Sequence, residues 1–160
     1  MCHTRFFAFV FAFAAMPRII EPFPDPSPAT TWVDVFRYLE RRKCTLESPF
    51  SERVASDSFP LQIEAARAWV RERTAKRKTF FLHNTSYGFK AMAERYVDHY
   101  VCNDAMKIAL CWEGYRLKPF CPPNYRTDLT LLEKSCIASE ALTRDEFLAG
   151  KPMRKPSVRW

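Results

Sequence analysis

Apolar residues recur at helical spacing most regularly between Thr85 and Tyr115. Phe89, Met92, Ala93, Tyr96, Val97 and Tyr100 lie a helical turn apart and make one apolar face. Thr85 and Ser86 before them offer side-chain oxygens to the free N–H groups of a first turn. Asn103 and Asp104 can cap a second helix, whose stripe is Ala105, Ile108, Ala109 and Trp112. Gly114 is placed to close it in the left-handed conformation. The pattern predicts a helix, a tight corner and a second helix, with Met92, Tyr96, Ala109 and Trp112 buried together between them.

Weaker periodicity flanks this pair. A helix starts at Thr30 or Thr31 and runs to about Lys43, with Trp32, Val35, Phe36 and Leu39 inward and Arg37, Arg41 and Arg42 elsewhere. Ser48-Pro49 opens a polar loop that reaches Ser58, with a short turn around Ser51–Ala55. Pro60 suits the first turn of the next helix, which buries Ile63, Ala66 and Val70, flanked by Leu61 and Trp69. That helix is expected to run on through RERTAKRK (Arg71–Lys78), so that Arg73 and Arg77 share a face. Phe80-Phe81-Leu82 then returns the chain to the core. Pro119, Pro122 and Pro123 forbid helix. Asp128 is read as the cap of a further helix to about Leu142, with Leu131, Leu132, Cys136 or Ile137, and Leu142 inward. Thr143 and Glu146 form a capping box, and Gly150 ends a last short helix.

The predicted class is mainly α. Residues 30–150 form a small bundle of about five helices, residues 1–29 an apolar segment and proline-rich arm, and residues 151–160 a flexible basic tail. In the arm, Pro17, Pro22, Pro24, Pro26 and Pro28 fix φ and remove donors, so it is extended, as a spacer or as a ligand for an aromatic groove. Three readings of Met1–Ala15 stay open. It resembles a short secretory signal; Met16 can be the true start; or Phe7, Phe9, Phe11 and Phe13 alternate as one face of a strand. The expected compartment is the cytoplasm, with export if the first reading holds.

Composition narrows the chemistry. The formal charge is +7 and the pI about 9.2, which favours polyanionic partners: nucleic acid, an acidic membrane face or an acidic protein. Only three glycines occur, too few and too scattered for a P-loop or a dinucleotide fingerprint, and no cofactor is expected. The six cysteines contain no Cys-x-x-Cys pair and read as reduced, small apolar side chains. His99, Cys102, Cys111 and Cys121 can be drawn as a zinc set, but helical spacing scatters them, and no metal site is expected. No nucleophile elbow, His-Glu-x-x-His or paired-carboxylate motif is present, so the expectation is a protein without enzymatic activity.

The segment AERYVDHYVCNDAMKIALCWEGYR resembles the helix-turn-helix of DNA-binding proteins over about a fifth of the chain. The resemblance implies a contact helix presenting Asp104, Lys107 and Cys111, although the corner from Asp98 to Asn103 is longer than usual and the face is poor in Arg, Asn and Gln. A bare helical hairpin is the other reading of the same residues. The leading functional expectation is a basic, nucleic-acid-binding accessory or regulatory protein. Its primary contacts would be Arg71, Arg73, Lys76, Arg77, Lys78 and the tail, with Lys90, Arg95, Lys107 and Arg116 as secondary ones. A structural or adaptor subunit of a larger assembly is the alternative, and accounts better for the aromatic excess and the proline arm.

Overall fold

In the computed structural model, which describes residues 18–132, five α-helices carry most of the ordered backbone. They are α1 (Trp32–Arg41), α2 (Phe50–Val54), α3 (Ser58–Arg73), α4 (Ser86–Val97) and α5 (Asn103–Trp112). Four three-residue strands accompany them: β1 (Thr74–Lys76), β2 (Leu117–Pro119), β3 (Tyr125–Thr127) and β4 (Leu129–Leu131). The mainly α expectation fits. The readings of Met1–Ala15, the helices beyond residue 132 and the basic tail lie outside the described residues.

All ten residues of α5 are buried, and the other elements are arranged around it. Helices α1, α3 and α4 and strand β2 all pack on α5. A helix apolar on every side belongs in a core. Here Ala105, Met106, Ile108, Ala109 and Leu110 meet that demand, while Asn103, Asp104 and Lys107 are buried as well. The end of α5 is a Schellman motif. Gly114 turns at φ +90°, Tyr115 N–H donates to the Leu110 carbonyl at 2.9 Å, and Gly114 N–H donates to that of Cys111 at 3.3 Å. Gly114→Ala is expected to cost about 1–2 kcal/mol in urea denaturation, because a Cβ is strained at that φ. An unchanged midpoint would mean the left-handed turn is not retained in solution.

The corner between α4 and α5 turns at Asp98 and is fastened by two side-chain acceptors. Asp98 takes a left-handed conformation at φ +48°. Val101 N–H donates to Glu94 Oε1 at 3.1 Å, and Cys102 N–H to Gln62 Oε1 at 2.9 Å. Of the residues expected to be buried together, Tyr96, Ala109 and Trp112 are buried and Met92 is half-buried against the core. The Trp112 ring lies under the Arg67 guanidinium of α3 at 3.6 Å.

Two expectations are corrected. The helix read through Lys78 ends at Arg73, and β1 takes its place. There Thr74, Ala75 and Lys76 pair antiparallel with Leu131, Thr130 and Leu129. Thr74 also donates its hydroxyl to the Val70 carbonyl at 2.6 Å, so pairing and a buried threonine override the helix preference of Ala, Lys and Arg. The helix read from Asp128 starts instead as strand β4. The Asp128 carboxylate accepts from the Arg116 amide and Nε, both at 2.8 Å, and is not free to cap.

The described part of the proline arm docks through residues 20–23 and then bends at Asp25, where φ is +42°, in place of the fully extended arm expected. Ile20 is 2% exposed and forms a bridge to Leu117, Phe23 N–H donates to the Cys111 carbonyl at 3.0 Å, and Tyr38 Oη donates to the carbonyls of Glu21 and Pro22 at 3.1 and 3.2 Å.

Candidate nucleic-acid interface

The buried polar residues of α5 show which cations are spent inside the fold. Lys107 and Asp104, one turn apart, both have side chains at 0% exposure, and Lys107 Nζ donates to Asp104 Oδ1 at 2.8 Å. The same ammonium donates to the Thr45 carbonyl at 2.6 Å. Asp104 further accepts from the Glu47 amide at 3.0 Å, the Ser48 amide at 3.2 Å and Arg53 at 2.8 Å. Burial works to raise the Asp104 carboxyl; the Lys107 ammonium, the Glu47 amide and the Arg53 guanidinium outweigh it and hold the group below its ordinary value. This cluster anchors the Thr45–Ser48 loop to α5.

The helix-turn-helix reading is corrected here. Asp104, Lys107 and Cys111, its implied reading face, are each 0% exposed, so α5 presents nothing to a groove. Lys107 is therefore removed from the set of contacts. Arg73 is removed with it: its side chain is 3% exposed and lies 4.5 Å over the Tyr96 ring. Helix packing around a central element consumes charged residues that the linear pattern assigns to the surface.

The remaining expected contacts divide by whether a carboxylate neutralises them. Arg71 and Arg67 both bond Glu113, at 2.8 and 2.7 Å, along a cleft of about 450 Å³ that Pro26, Pro28 and Trp112 also line. Lys90 bonds Glu94 at 3.2 Å, and Arg116 bonds Asp128 at 2.8 Å. Lys76, Arg77, Lys78 and Arg95 are exposed, and none of them forms a salt bridge among the described residues.

Three of these cations, Lys76, Arg77 and Lys78, run beside the β2–β3 hairpin. Arg77 N–H donates to the Asp128 carbonyl and Phe81 N–H to that of Thr127, both at 2.8 Å, and Arg116 donates to the Lys78 carbonyl at 3.0 Å. In the hairpin Lys118 pairs with Arg126, between the inward-facing pairs Leu117–Thr127 and Pro119–Tyr125. Strand alternation therefore puts Arg116, Lys118, Phe120 and Arg126 on the outer face. Leu117, Tyr125 and Thr127, at 0%, 2% and 0% exposure, fill the inner one. Lys118 and Arg126 also lack a salt bridge among the described residues.

Two rings stand among these cations. Arg126 stacks over Phe120 at 3.8 Å, and Arg116 and Lys118 lie 5.0 and 5.8 Å from Phe80. Phe80 thus joins the cationic face, correcting its placement in the core, and Leu82 of the same run is 63% exposed. Sequence reading missed Phe80, Lys118, Phe120 and Arg126. The available signal was the alternation of Arg116, Lys118 and Phe120 on either side of Pro119.

The zinc set does not assemble: among the described residues no three His, Cys, Asp or Glu side chains are placed to hold a metal. Cys102 Sγ accepts from Ala105 N–H at 3.4 Å as the cap of α5, and Cys111 Sγ donates to the Glu21 carbonyl at 3.8 Å. Burial pushes the Cys44 thiol up to about 11 and that of Cys111 up to about 12, while Cys121 is exposed. At neutral pH a maleimide should label Cys121 readily, and Cys44, Cys102 and Cys111 only on unfolding, as mapped by peptide mass spectrometry. Rapid native labelling of Cys111 would contradict the burial of α5. His83 is exposed, and His99 lines a recess of about 250 Å³ with Ser58, Gln62, Asp98 and Tyr100. No helix among the described residues is long and apolar enough to cross a membrane.

No protein-family model matches the sequence, and no curated protein or solved structure was found to be similar to it.

Proposed function

We propose that the protein is a non-enzymatic nucleic-acid-binding accessory protein whose contact surface is the outer face of the β2–β3 hairpin together with Lys76, Arg77 and Lys78. One observation carries the reading: carboxylates neutralise Arg67, Arg71 and Lys107 around α5, while Lys118, Arg126, Lys76, Arg77 and Lys78 form no salt bridge among the described residues. Uncompensated cations along a ribbon displace the counterions condensed on a phosphate backbone, and the affinity is then electrostatic. Contacts to phosphate position the chain and carry little sequence information, so discrimination between sequences is modest.

The test is a salt titration of binding on two unrelated sequences, comparing the parent with a Lys76→Gln, Arg77→Gln, Lys78→Gln, Lys118→Gln variant. These four side chains are exposed, so the variant keeps its fold, which melting verifies. The expected slope in log affinity against log salt is roughly −0.7 to −0.9 per phosphate neutralised. It should flatten in the variant in proportion to the phosphates that the four glutamines leave unneutralised, equally on both sequences. Superimposable curves would hand the lead to the adaptor-subunit reading. That second reading draws on Tyr87 and Tyr100, 57% and 62% exposed, which flank Lys90 at 4.9 and 5.2 Å and form a separate aromatic surface.

A further inference from the structure

We infer that the strand held on this face is single-stranded, with bases stacked on Phe80 and Phe120; the inference rests on the nucleic-acid reading above. Both cations of the Lys118–Arg126 pair have a ring beside them: Phe80, from the segment alongside the hairpin, is 5.8 Å from Lys118, and Phe120, just after β2, is 3.8 Å from Arg126. Phe120 continues the ladder beyond β2, its N–H donating to the Asn124 carbonyl at 3.0 Å, so its ring is carried on paired backbone and not on a free loop. It is 42% exposed even with Arg126 stacked against it, which leaves ring surface for a base.

Two features favour a single strand over a duplex. In a duplex the base faces are already stacked on one another, and a phenylalanine reaches one only by unstacking a step, at a cost of roughly a few kcal/mol. In a single strand each base has a free face, and an aromatic ring with a cation beside it takes the base and its phosphate together. Phe80 and Phe120 are also poorly placed for any internal purpose. Phe81, the neighbour of Phe80, packs on Phe89 at 5.8 Å, whereas Phe80 meets the hairpin cations. The half-buried guanidinium of Arg126 is held by the Phe120 ring and by no carboxylate among the described residues, so its charge is not neutralised there.

The experiment measures fluorescence anisotropy of a labelled oligothymidylate and of a mixed-sequence duplex of equal length, with Phe80→Ala, Phe120→Ala, Phe120→Trp and the four-glutamine variant. The expected result is tighter binding of the single strand by the parent. Each alanine variant should weaken it about 5- to 100-fold with an unchanged salt slope, and Phe120→Trp should retain binding. Thermal melting shows that each variant is folded; if Phe120→Ala is not, quenching of the introduced indole's fluorescence by the oligothymidylate in Phe120→Trp carries the test, and binding without quenching overturns stacking there. Equal affinity for duplex and single strand, with no loss in the alanine variants and a flattened slope in the glutamine variant, overturns stacking and leaves phosphate binding standing. Salt-insensitive, negligible binding of both probes by the parent overturns both.

Discussion

Replacing Lys107 by methionine is expected to cost about 3–5 kcal/mol of folding stability. The side chain is wholly buried, and its ammonium joins the Asp104 carboxylate to the Thr45 carbonyl at 2.8 and 2.6 Å. Methionine fills much the same volume, so the loss is electrostatic: among the described residues the buried carboxylate is left with Arg53 and the amides of Glu47 and Ser48, and the Thr45 carbonyl loses the Lys107 donor. Urea denaturation of parent and variant measures the difference. The double variant Lys107→Met, Asp104→Leu should lose less than the two single variants summed, because neither charge is then stranded. A loss below about 1 kcal/mol would place the ammonium in water and restore Lys107 as a surface contact.

The same cluster sets an acid limit. The folded Asp104 carboxyl lies below its ordinary value of 3.8, so its contribution is fully present above that value and is lost as pH falls through the folded one. Burial alone pushes the carboxyl the other way, and Lys107 is the strongest of the groups that reverse it. The Lys107→Met protein, already less stable, should therefore lose less further stability than the parent as pH falls below 3.8, because the gap between the folded and unfolded carboxyl narrows. Coincident acid-unfolding curves, once scaled for stability, would remove the ion pair from the account.

Trp69→Ala is the second large effect, expected at about 3–5 kcal/mol in the same assay. Trp69 is 1% exposed on α3 and faces the Phe89 ring of α4, 6.1 Å between centroids and tilted by 33°. Truncation opens a cavity where α3 meets α4, and two helices cannot both collapse into it without moving α5. Trp112→Ala should cost less than Trp69→Ala, since the Trp112 ring borders the cleft beside the proline arm and the flexible Arg67 side chain can close over the gap. The reverse ranking would place the core's weight on the α5 end.

Elements set by neighbours in sequence were legible. The α4–corner–α5 pattern from Thr85 to Gly114 appears with α4 at Ser86–Val97, α5 at Asn103–Trp112 and the left-handed Gly114 after it. The first helix begins where Thr31 donates its amide and hydroxyl to Asp34, three residues on, at 2.8 and 2.7 Å. Apolar spacing acts within a turn or two, and a linear pattern records it. The caps expected of the central pair did not follow, since Cys102 caps α5 in place of Asn103 and Asp104, and Thr85 makes no side-chain cap bond.

Which charges reach solvent was another matter. Lys107 and Arg73 look like their basic neighbours in the chain, but the partners that bury Lys107 include Thr45, 62 residues away, and Arg73 lies on the Tyr96 ring of a different helix. Strand β1 similarly needs β4, whose Leu131 pairs with Thr74, before it is preferred to another turn of helix. The outer face of the hairpin exists only because Lys118 is set opposite Arg126 and the segment before Phe81 is tied alongside. The sequence by itself determined the helical class, the central helix pair and its closing glycine, because those depend on spacing and local hydrogen bonds. Tertiary structure decided which cations remain free and where they gather, because neutralisation and burial depend on groups brought together from distant parts of the chain.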